Sequence, residues 1–450
     1  MIDFTKENEI HKNIIRFTIP LLLSNIVQNL LLVIEGIIVG QGLNSYALAA
    51  LGIAYPIIFV VISFIVGLSI GFNIVLSQLY SLKDKENFIK TFKIIIFFLM
   101  IFGIFFTILC KLNLNHLINF FDTKKEIRFY LKNFLDYYFL GFSVFFLYNF
   151  YLSLLRAVGN SKASFFFIFF NAIIQIILYL FFIVLLKLNI EFIAISTILS
   201  QLIVFTASYV YVKGKYKFIK IDFSFFKMDK NSINRILKIS IPPAFQQFFV
   251  ALSNVIISFM AVKIGTESIT AYTIASRLEL LILMPIINIA YSLSVFVSHN
   301  IVNENFKIIK KGYLFVRNIG TIFSFSSSIL LIIFGKQLAF LFVSNTNIAN
   351  LVKTYFIFVS IFYVVFNYLQ NMNAILRGSG YTFIPMLITV ICLVVIRIPL
   401  TYYLAITYGF KGLCTAIPST WLLSSLLLFI AFKKDKWKKS SVANFDEFKH

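Results

Sequence analysis

Apolar runs of eighteen or more residues recur from one end of this chain to the other, and they constrain its fold more than any other feature. Such a run is long enough to cross the hydrocarbon core of a bilayer as an α-helix. The composition agrees, because 60% of the residues are hydrophobic and only 13% are charged, whereas soluble domains carry about 25% charged residues. The sequence therefore predicts an all-α polytopic membrane protein.

Twelve membrane spans can be placed along the sequence. They are predicted at 14–43, 46–79, 91–112, 128–156, 163–186, 190–212, 236–263, 268–300, 312–335, 352–376, 383–407 and 412–432. The spans divide the chain into a cytoplasmic N-terminal tail (1–13), an N-lobe (14–212), a basic cytoplasmic linker (213–235), a C-lobe (236–432) and a cytoplasmic C-terminal tail (433–450).

The net charge of +22 is distributed unevenly between the two sides of these spans. One side, which includes both termini, holds 28 of the Lys and Arg residues, and the other side holds 10. The positive-inside rule therefore places both termini in the cytoplasm, and we expect the protein in the inner (plasma) membrane. The basic segment KGKYKFIKIDFSFFKMDK (213–230) suits a loop that lies against anionic lipid. The basic charge thus has a membrane explanation, and no nucleic-acid partner is expected.

Two short motifs occur twice at nearly the same offset. The dipeptide IP at 19–20 returns at 241–242, and LRAVG at 155–159 returns as LRGSG at 376–380. The shared offset predicts a duplication of six helices, with parallel repeats like those of transporters whose two halves rock against each other. The alternative is that the second motif marks only the end of a helix, where Gly terminates the last turn.

One carboxylate, Glu35, lies inside the first span in the stretch LLLVIEGIIVG (30–40). A charged residue at the centre of a span costs about 2.5–3.5 kcal/mol on insertion scales, so its presence points to function. Gln28 lies within about 20° of Glu35 around a helix axis and extends a polar stripe along the span. The alternative role for such residues is to tie helices together by hydrogen bonds.

Neutral polar residues in the fifth and sixth spans are candidate partners of Glu35. Asn171 and Gln175 are four residues apart and share one helical face, and the sixth span carries Thr197. One carboxylate among neutral oxygen atoms suits a single monovalent cation. The sequence therefore predicts an H⁺ or Na⁺ site at Glu35, Asn171, Gln175 and Thr197, with no other cofactor.

The second half carries three charged residues within its spans. Arg277 and Glu279 are two residues apart on the eighth span, so they point to different faces and are not expected to pair. Arg397, in the stretch IRIPL, needs a carbonyl or carboxylate partner. We interpret these three residues as structural.

Several stretches resemble landmarks of the multidrug and toxic compound extrusion (MATE) transporters, in the same order along the chain. They are VIEGIIVGQGLNSYALAALGIAYP (33–56), LLRAVGNSK (154–162), AYTIASRLE (271–279), FVSHN (296–300), ILRGSG (375–380) and RIPL (397–400). The chain departs from the family pattern in three places. Glu35 stands where Asp is usual, Gln175 replaces an acid on the fifth helix, and Asn367 replaces an Asp on the tenth.

The resemblance implies twelve helices in two six-helix lobes and export of lipophilic or cationic drugs, driven by inward H⁺ or Na⁺ through alternating access. Under this reading Gln28, Asn149, Asn367 and Gln370 are candidate substrate-contacting residues. We expect a monomer in the lipid bilayer. The alternative is a flippase of a related fold for lipid-linked oligosaccharide or peptidoglycan precursors. An enzyme is not expected, since the four His residues are scattered and no HExxH, GxSxG or P-loop motif occurs.

Overall fold

The computed structural model describes residues 2–5, 7–120, 124–218 and 230–441, and α-helices dominate them. The described residues of the first half form eight α-helices. They are α1 (Ile10–Gly42), α2 (Ser45–Ser81), α3 (Lys85–Leu112), α4 (Leu114–Phe120), α5 (Lys125–Leu140), α6 (Phe142–Ala157), α7 (Ser161–Tyr179) and α8 (Glu191–Lys215). A π-helical turn, Leu180–Leu185, continues α7.

In the second half, the residues that the structure describes form seven α-helices. They are α9 (Lys230–Ile264), α10 (Thr266–Ile301), α11 (Phe306–Ala339), α12 (Thr346–Val359), α13 (Tyr363–Gly378), α14 (Phe383–Val390) and α15 (Arg397–Lys433). The turn Ser360–Phe362 joins α12 to α13, and the π-helical turn Ile391–Ile396 joins α14 to α15.

These helices make twelve membrane spans. Ten helical segments of the described chain are each long and apolar enough to cross a bilayer, and α5 with α6, bent by 55°, makes one more. The last segment, Phe383–Lys433, has 51 residues and would be about 77 Å long, more than twice the hydrocarbon thickness. Gly409 breaks this segment with non-helical backbone angles (φ 57°, ψ −136°). The break divides the segment into the predicted spans eleven and twelve.

The duplicated motif has the same backbone geometry in both halves. Gly159 and Gly380 both have positive φ, at 76° and 89°. In each copy the residue after the Gly donates its N–H to the motif's Leu carbonyl, at 2.8 Å after Gly159 and 2.9 Å after Gly380. This is the Schellman arrangement that ends a helix. The helix-end reading is therefore correct, and the shared geometry agrees with the predicted duplication.

The chain divides into two compact units, residues 19–237 and residues 2–18 with 238–450. The segment 2–18 therefore packs with the second unit, whereas the sequence assigned 1–13 to a tail and 14–18 to the N-lobe. Phe4 is 1% exposed, and its ring lies 5.9 Å from that of Phe296. Asn300 Nδ2 donates to Phe4 O at 3.1 Å, and Thr18 Oγ1 donates to Ser292 Oγ at 2.8 Å. The contacts with Phe296, Ser292 and Asn300 join this segment to residues that are distant in sequence, which local sequence patterns do not reveal.

The predicted linker and C-terminal tail are partly structured. Helix α8 extends to Lys215 and α9 begins at Lys230, so both ends of the predicted linker are helical; residues 219–229 lie outside the described chain. In the C-terminal tail, the Trp437 ring stacks on Phe432 at 5.5 Å, and residues 442–450 lie outside the described chain.

The outer surfaces of both units are apolar. Large hydrophobic side chains are highly exposed on many helices, as at Ile322 (70%), Val210 (61%) and Phe325 (63%). Soluble monomers rarely expose apolar surface on this scale. The surface is suited to lipid, in agreement with the predicted multi-pass membrane protein.

Candidate functional site

Glu35 lies in α1 with only 3% of its surface exposed. Both of its carboxylate oxygen atoms accept hydrogen bonds from tyrosine hydroxyls of the same unit. Tyr55 of α2 donates to Oε1, and Tyr179, the last residue of α7, donates to Oε2 at 3.0 Å. Among the residues that the structure describes, the carboxylate is therefore held by neutral partners.

The hydrogen bonds continue from Tyr179 to the other predicted cation ligands. Gln175 Nε2 donates to the Tyr179 hydroxyl and to Thr197 Oγ1 at 2.9 Å. The hydroxyls of Tyr179 and Thr197 are 3.0 Å apart. Asn171 Nδ2 donates to Gln175 Oε1 at 3.2 Å. The structure thus brings Glu35, Asn171, Gln175 and Thr197 into one buried network, which we call the N-lobe polar network together with Tyr55 and Tyr179.

Local helix geometry explains how α7 contributes three members of this network. Asn171, Gln175 and Tyr179 are spaced by four residues, so their side chains lie on one face. The π-helical turn Leu180–Leu185 begins directly after Tyr179, and such turns occur frequently at functional sites. Thr197 Oγ1 donates to Ile193 O at 3.0 Å within α8, which fixes its hydroxyl.

The orientation of the Gln175 amide bears on which cation fits. Its nitrogen donates towards Tyr179 and Thr197, while its oxygen accepts from Asn171. This orientation follows from the hydrogen-bond pattern. Hard metal cations are bound by oxygen atoms. Gln175 instead presents its amide nitrogen, a hydrogen-bond donor, towards Tyr179 and Thr197 beside Glu35. Asn171 Oδ1 is a buried acceptor with no hydrogen-bond partner among the described residues.

Sequence reasoning missed Tyr55 and Tyr179. Tyr179 carried a detectable signal, since it continues the i, i+4 series of Asn171 and Gln175 on the same face. Tyr55 carried none, because its role depends on which helix packs beside α1, and helix periodicity does not reveal that neighbour.

The four candidate substrate-contacting residues lie outside this network in the described structure. Gln28 is exposed, and Asn149 and Gln370 are half-buried. Asn149 Nδ2 donates to Phe145 O, within its own helix, at 2.9 Å. Their role in substrate binding stays a prediction.

Asn367, one of these four candidates, has a fully buried side chain. Its amide donates to Arg317 O at 3.1 Å and accepts from Asn371 Nδ2 at 3.1 Å. A Cβ at Gly320 would lie 2.0 Å from Asn367 Oδ1, so the two helices approach closely here. Asn367 joins α11 to α13 in this structure and does not face an open surface.

Arg397 has the carbonyl partner that the sequence required. Its guanidinium donates to Ile417 O at 3.2 Å, to Thr420 Oγ1 at 2.9 Å and to Ser253 Oγ at 3.3 Å. Arg277, by contrast, is exposed. The partners of Arg397 come from α9 and α15, so this residue ties helices of the second unit together.

The resemblance to MATE transporters implies transport, and under this reading we expect Tyr179→Phe to reduce transport without unfolding the protein. The change removes only the hydroxyl that donates to Glu35 and accepts from Gln175, and a hydrogen bond to a charged group contributes about 1.5–3 kcal/mol. The expected loss of transport rate is therefore roughly 10-fold or more, measured in proteoliposomes. Tyr137→Phe is the matched control because Tyr137 is 41% exposed. Equal transport rates for Tyr179→Phe and Tyr137→Phe would contradict a role for the Tyr179 hydroxyl in transport.

The described chain, with helices enough for twelve membrane spans and a polar network buried in its first unit, defines a polytopic membrane protein. The MatE family model matches residues 20–207 and 242–403, which is most of both halves. The chain therefore belongs to the multidrug and toxic compound extrusion (MATE) family, which confirms the resemblance drawn from its motifs.

Relatives of similar length support this assignment. The probable multidrug resistance protein YpnP of Bacillus subtilis is 27% identical over 441 residues, which cover 97% of each chain. The probable multidrug resistance protein YoeA of the same organism is 23% identical over 439 residues, covering 95% of this chain and 94% of YoeA.

A solved structure has the same fold. It is that of a multidrug resistance MATE family transporter of the MOP superfamily in an outward-facing conformation. The TM-score is 0.86 at 20% identity, with 95% of this chain and 97% of the other covered. This likeness confirms the predicted fold of twelve helices in two six-helix lobes.

Proposed function

We propose that this protein is a cation-coupled antiporter that exports lipophilic or cationic drugs by alternating access of its two lobes. The observation that carries the proposal is the buried carboxyl group of Glu35, which is held by uncharged partners within a membrane-spanning helix. The names of the relatives YpnP and YoeA support the choice of drugs as substrates.

The chemistry of Glu35 is suited to cation exchange. A buried charge without an oppositely charged partner is costly, and a bound cation removes that cost. No Lys or Arg forms an ion pair with Glu35 among the residues that the structure describes. Neutralisation therefore has to come from a mobile cation, and the network can gain or lose one positive charge during each transport cycle.

The proton fits this network better than Na⁺ does. A proton needs one carboxylate oxygen and one acceptor, and a tyrosine hydroxyl can accept as well as donate. Sodium needs several oxygen ligands, yet Gln175 presents its amide nitrogen to the hydroxyls beside Glu35. We therefore propose H⁺ as the coupling ion.

The membrane potential contributes to the driving force when the substrate is neutral: each proton that moves inward then supplies about 2.3 kcal/mol per 100 mV, which corresponds to roughly 50-fold accumulation of substrate. A monovalent cationic substrate that leaves in exchange for one proton cancels this charge, so its export draws on the pH gradient alone. The bias of Lys and Arg supports an orientation in the inner membrane with both termini in the cytoplasm. In this orientation an inward proton gradient drives substrate outward.

Separate gradients across proteoliposome membranes test the proposal. Purified full-length protein is reconstituted, and transport of a fluorescent lipophilic cation is followed with a pH gradient alone, a Na⁺ gradient alone, or neither. We expect transport against its own gradient only when the pH gradient is present. Transport driven by Na⁺ alone would replace H⁺ with Na⁺ as the coupling ion, and equal transport with neither gradient would contradict coupled antiport.

A further inference from the structure

The last helix, α15, runs into a short basic segment, KKDKWKK (433–439), which we call the C-terminal collar. Five of its seven residues are Lys, and part of it, Lys436–Lys439, forms a single 3₁₀ turn. The side chains of Lys433, Lys434 and Lys436 are exposed. The collar is therefore a folded element with a dense positive charge on its surface.

Aromatic contacts hold the collar against the second unit. Trp437 is buried, and its ring stacks on Phe432 at 5.5 Å with only 8° between the two planes. The same ring meets the edge of Phe306, the first residue of α11, at 6.3 Å. The indole N–H donates to Phe432 O at 3.1 Å. Because Trp437 is fixed by its apolar ring and by its N–H, the Lys residues around it are held close together.

The collar begins where the lipid-facing surface of α15 ends. Leu426, Phe429 and Ile430 are exposed on this helix, and apolar surface of this kind suits lipid. Lys433 continues the same face by one turn, with its Nζ 4.7 Å from the centre of the Phe429 ring. Lys side chains near the ends of membrane helices extend their ammonium groups to the polar interface. The collar is therefore placed at the level of the lipid headgroups.

Acidic residues neutralise only part of the positive charge at this place. Asp435 pairs with one Lys of the collar at 2.7 Å, and Glu7 pairs with Lys311 of α11 at 2.6 Å. Lys307 and Lys310, in the first turns of α11, add two exposed positive charges. The charge that is left is complementary to an anionic surface.

The first unit has a similar arrangement at the equivalent place. Phe218, just after α8, packs on Phe88 at 5.5 Å. Phe88 lies in the first turn of α3, as Phe306 does in α11, and these helices are the third spans of the two predicted repeats. Exposed Lys residues precede this contact at Lys213, Lys215 and Lys217. An aromatic contact combined with Lys residues therefore recurs in both halves of the chain.

We propose that the C-terminal collar is a binding site for anionic phospholipid headgroups, formed by Lys433, Lys434 and Lys436 around the docked Trp437. Phosphate oxygens accept charge-assisted hydrogen bonds from ammonium groups, and clusters of Lys next to a membrane span attract anionic lipid. Trp is enriched at this depth because its ring is apolar and its N–H is polar. The site ties the end of α15 to one leaflet of the membrane, whatever the protein transports.

Quenching of Trp437 fluorescence by brominated lipids tests this site. The chain has only two Trp residues, so Trp421→Phe leaves Trp437 as the only indole. The full-length protein with this change is reconstituted in phosphatidylcholine vesicles that contain a rising fraction of brominated phosphatidylglycerol or, as the neutral reference, brominated phosphatidylcholine. We expect phosphatidylglycerol to quench at a several-fold lower mole fraction, and the difference to shrink in high salt because salt screens the attraction. Equal quenching by the two lipids at low salt would overturn the proposal.

Neutralisation of the three exposed Lys residues should abolish the preference for phosphatidylglycerol. The variant combines Lys433→Gln, Lys434→Gln and Lys436→Gln. The matched control combines Lys263→Gln, Lys353→Gln and Lys411→Gln, which are exposed residues of the same unit outside the collar. Lys263 also lies over a Phe ring four residues earlier, at 5.0 Å, as Lys433 does. The control should keep the preference, and an equal preference in both triple variants would contradict a site at the collar.

Asp435→Asn provides a second test, with an effect of opposite sign. Asp435 has a φ of 53°, a conformation that Asn also adopts, so the backbone should be unaffected. Loss of the carboxylate increases the positive charge of the collar, and the preference for phosphatidylglycerol should rise by about two-fold or more. The emission wavelength of Trp437 should stay constant, which shows that the ring remains docked. An unchanged preference with Trp437 docked would overturn the proposed headgroup site.

Discussion

Glu35→Gln is expected to yield a folded, membrane-inserted protein that no longer drives substrate export. Gln has nearly the same shape as Glu, and its carbonyl oxygen can still accept a hydrogen bond from Tyr55 or Tyr179. It cannot exchange a cation, however, so the gradient no longer couples to transport. We expect gradient-driven transport in proteoliposomes to fall by at least two orders of magnitude, to the level of vesicles without protein.

Two further variants complete this experiment. Glu35→Asp keeps the charge but shortens the side chain, so it should retain part of the transport rate. Glu126→Gln removes an exposed acid of the same unit and should behave as wild type. Undiminished transport by Glu35→Gln would remove Glu35 from the coupling role. Wild-type transport by Glu126→Gln would show that loss of an exposed acid does not by itself reduce transport.

Gly412→Ala is expected to cause a large loss of stability. A Cβ at position 412 would lie 1.8 Å from the carbonyl oxygen of Leu404 and 2.4 Å from its carbon. These are backbone atoms at the reversal between spans eleven and twelve, where Gly409 has positive φ, so no side-chain movement can relieve the clash. Overpacking costs about 1–3 kcal/mol even where side chains adjust, and the backbone clash should exceed that range.

The stability of this variant can be measured as the fraction of monodisperse protein that survives heating in detergent. Gly52→Ala is the matched control, because a Cβ there meets no atom within 4 Å. Ala is also the better helix former by about 1 kcal/mol. We expect Gly52→Ala to match or exceed wild-type stability. A Gly412→Ala protein as stable as this control would contradict the close approach at Leu404.

The twelve spans were predictable because their signal is local. Each span needs about 20 consecutive apolar residues, and the run of such residues can be read directly from the chain. The duplicated LRxxG motif was equally readable, since a Gly that ends a helix in the left-handed conformation acts only on its own turn. The same holds for Asn171 and Gln175, whose common face follows from the helical repeat.

The sequence by itself therefore determined the membrane class, the spans and the repeated motif. It also determined which polar residues share a face within α1 and within α7. The tertiary structure alone decided which helices are neighbours. It brought Tyr55 and Tyr179 to Glu35, gave Arg397 its partners, buried Asn367 against α11 and packed residues 2–18 with the second unit. The physical reason is that helical periodicity fixes how side chains are arranged around one axis, while contacts between helices depend on side-chain packing across the whole unit.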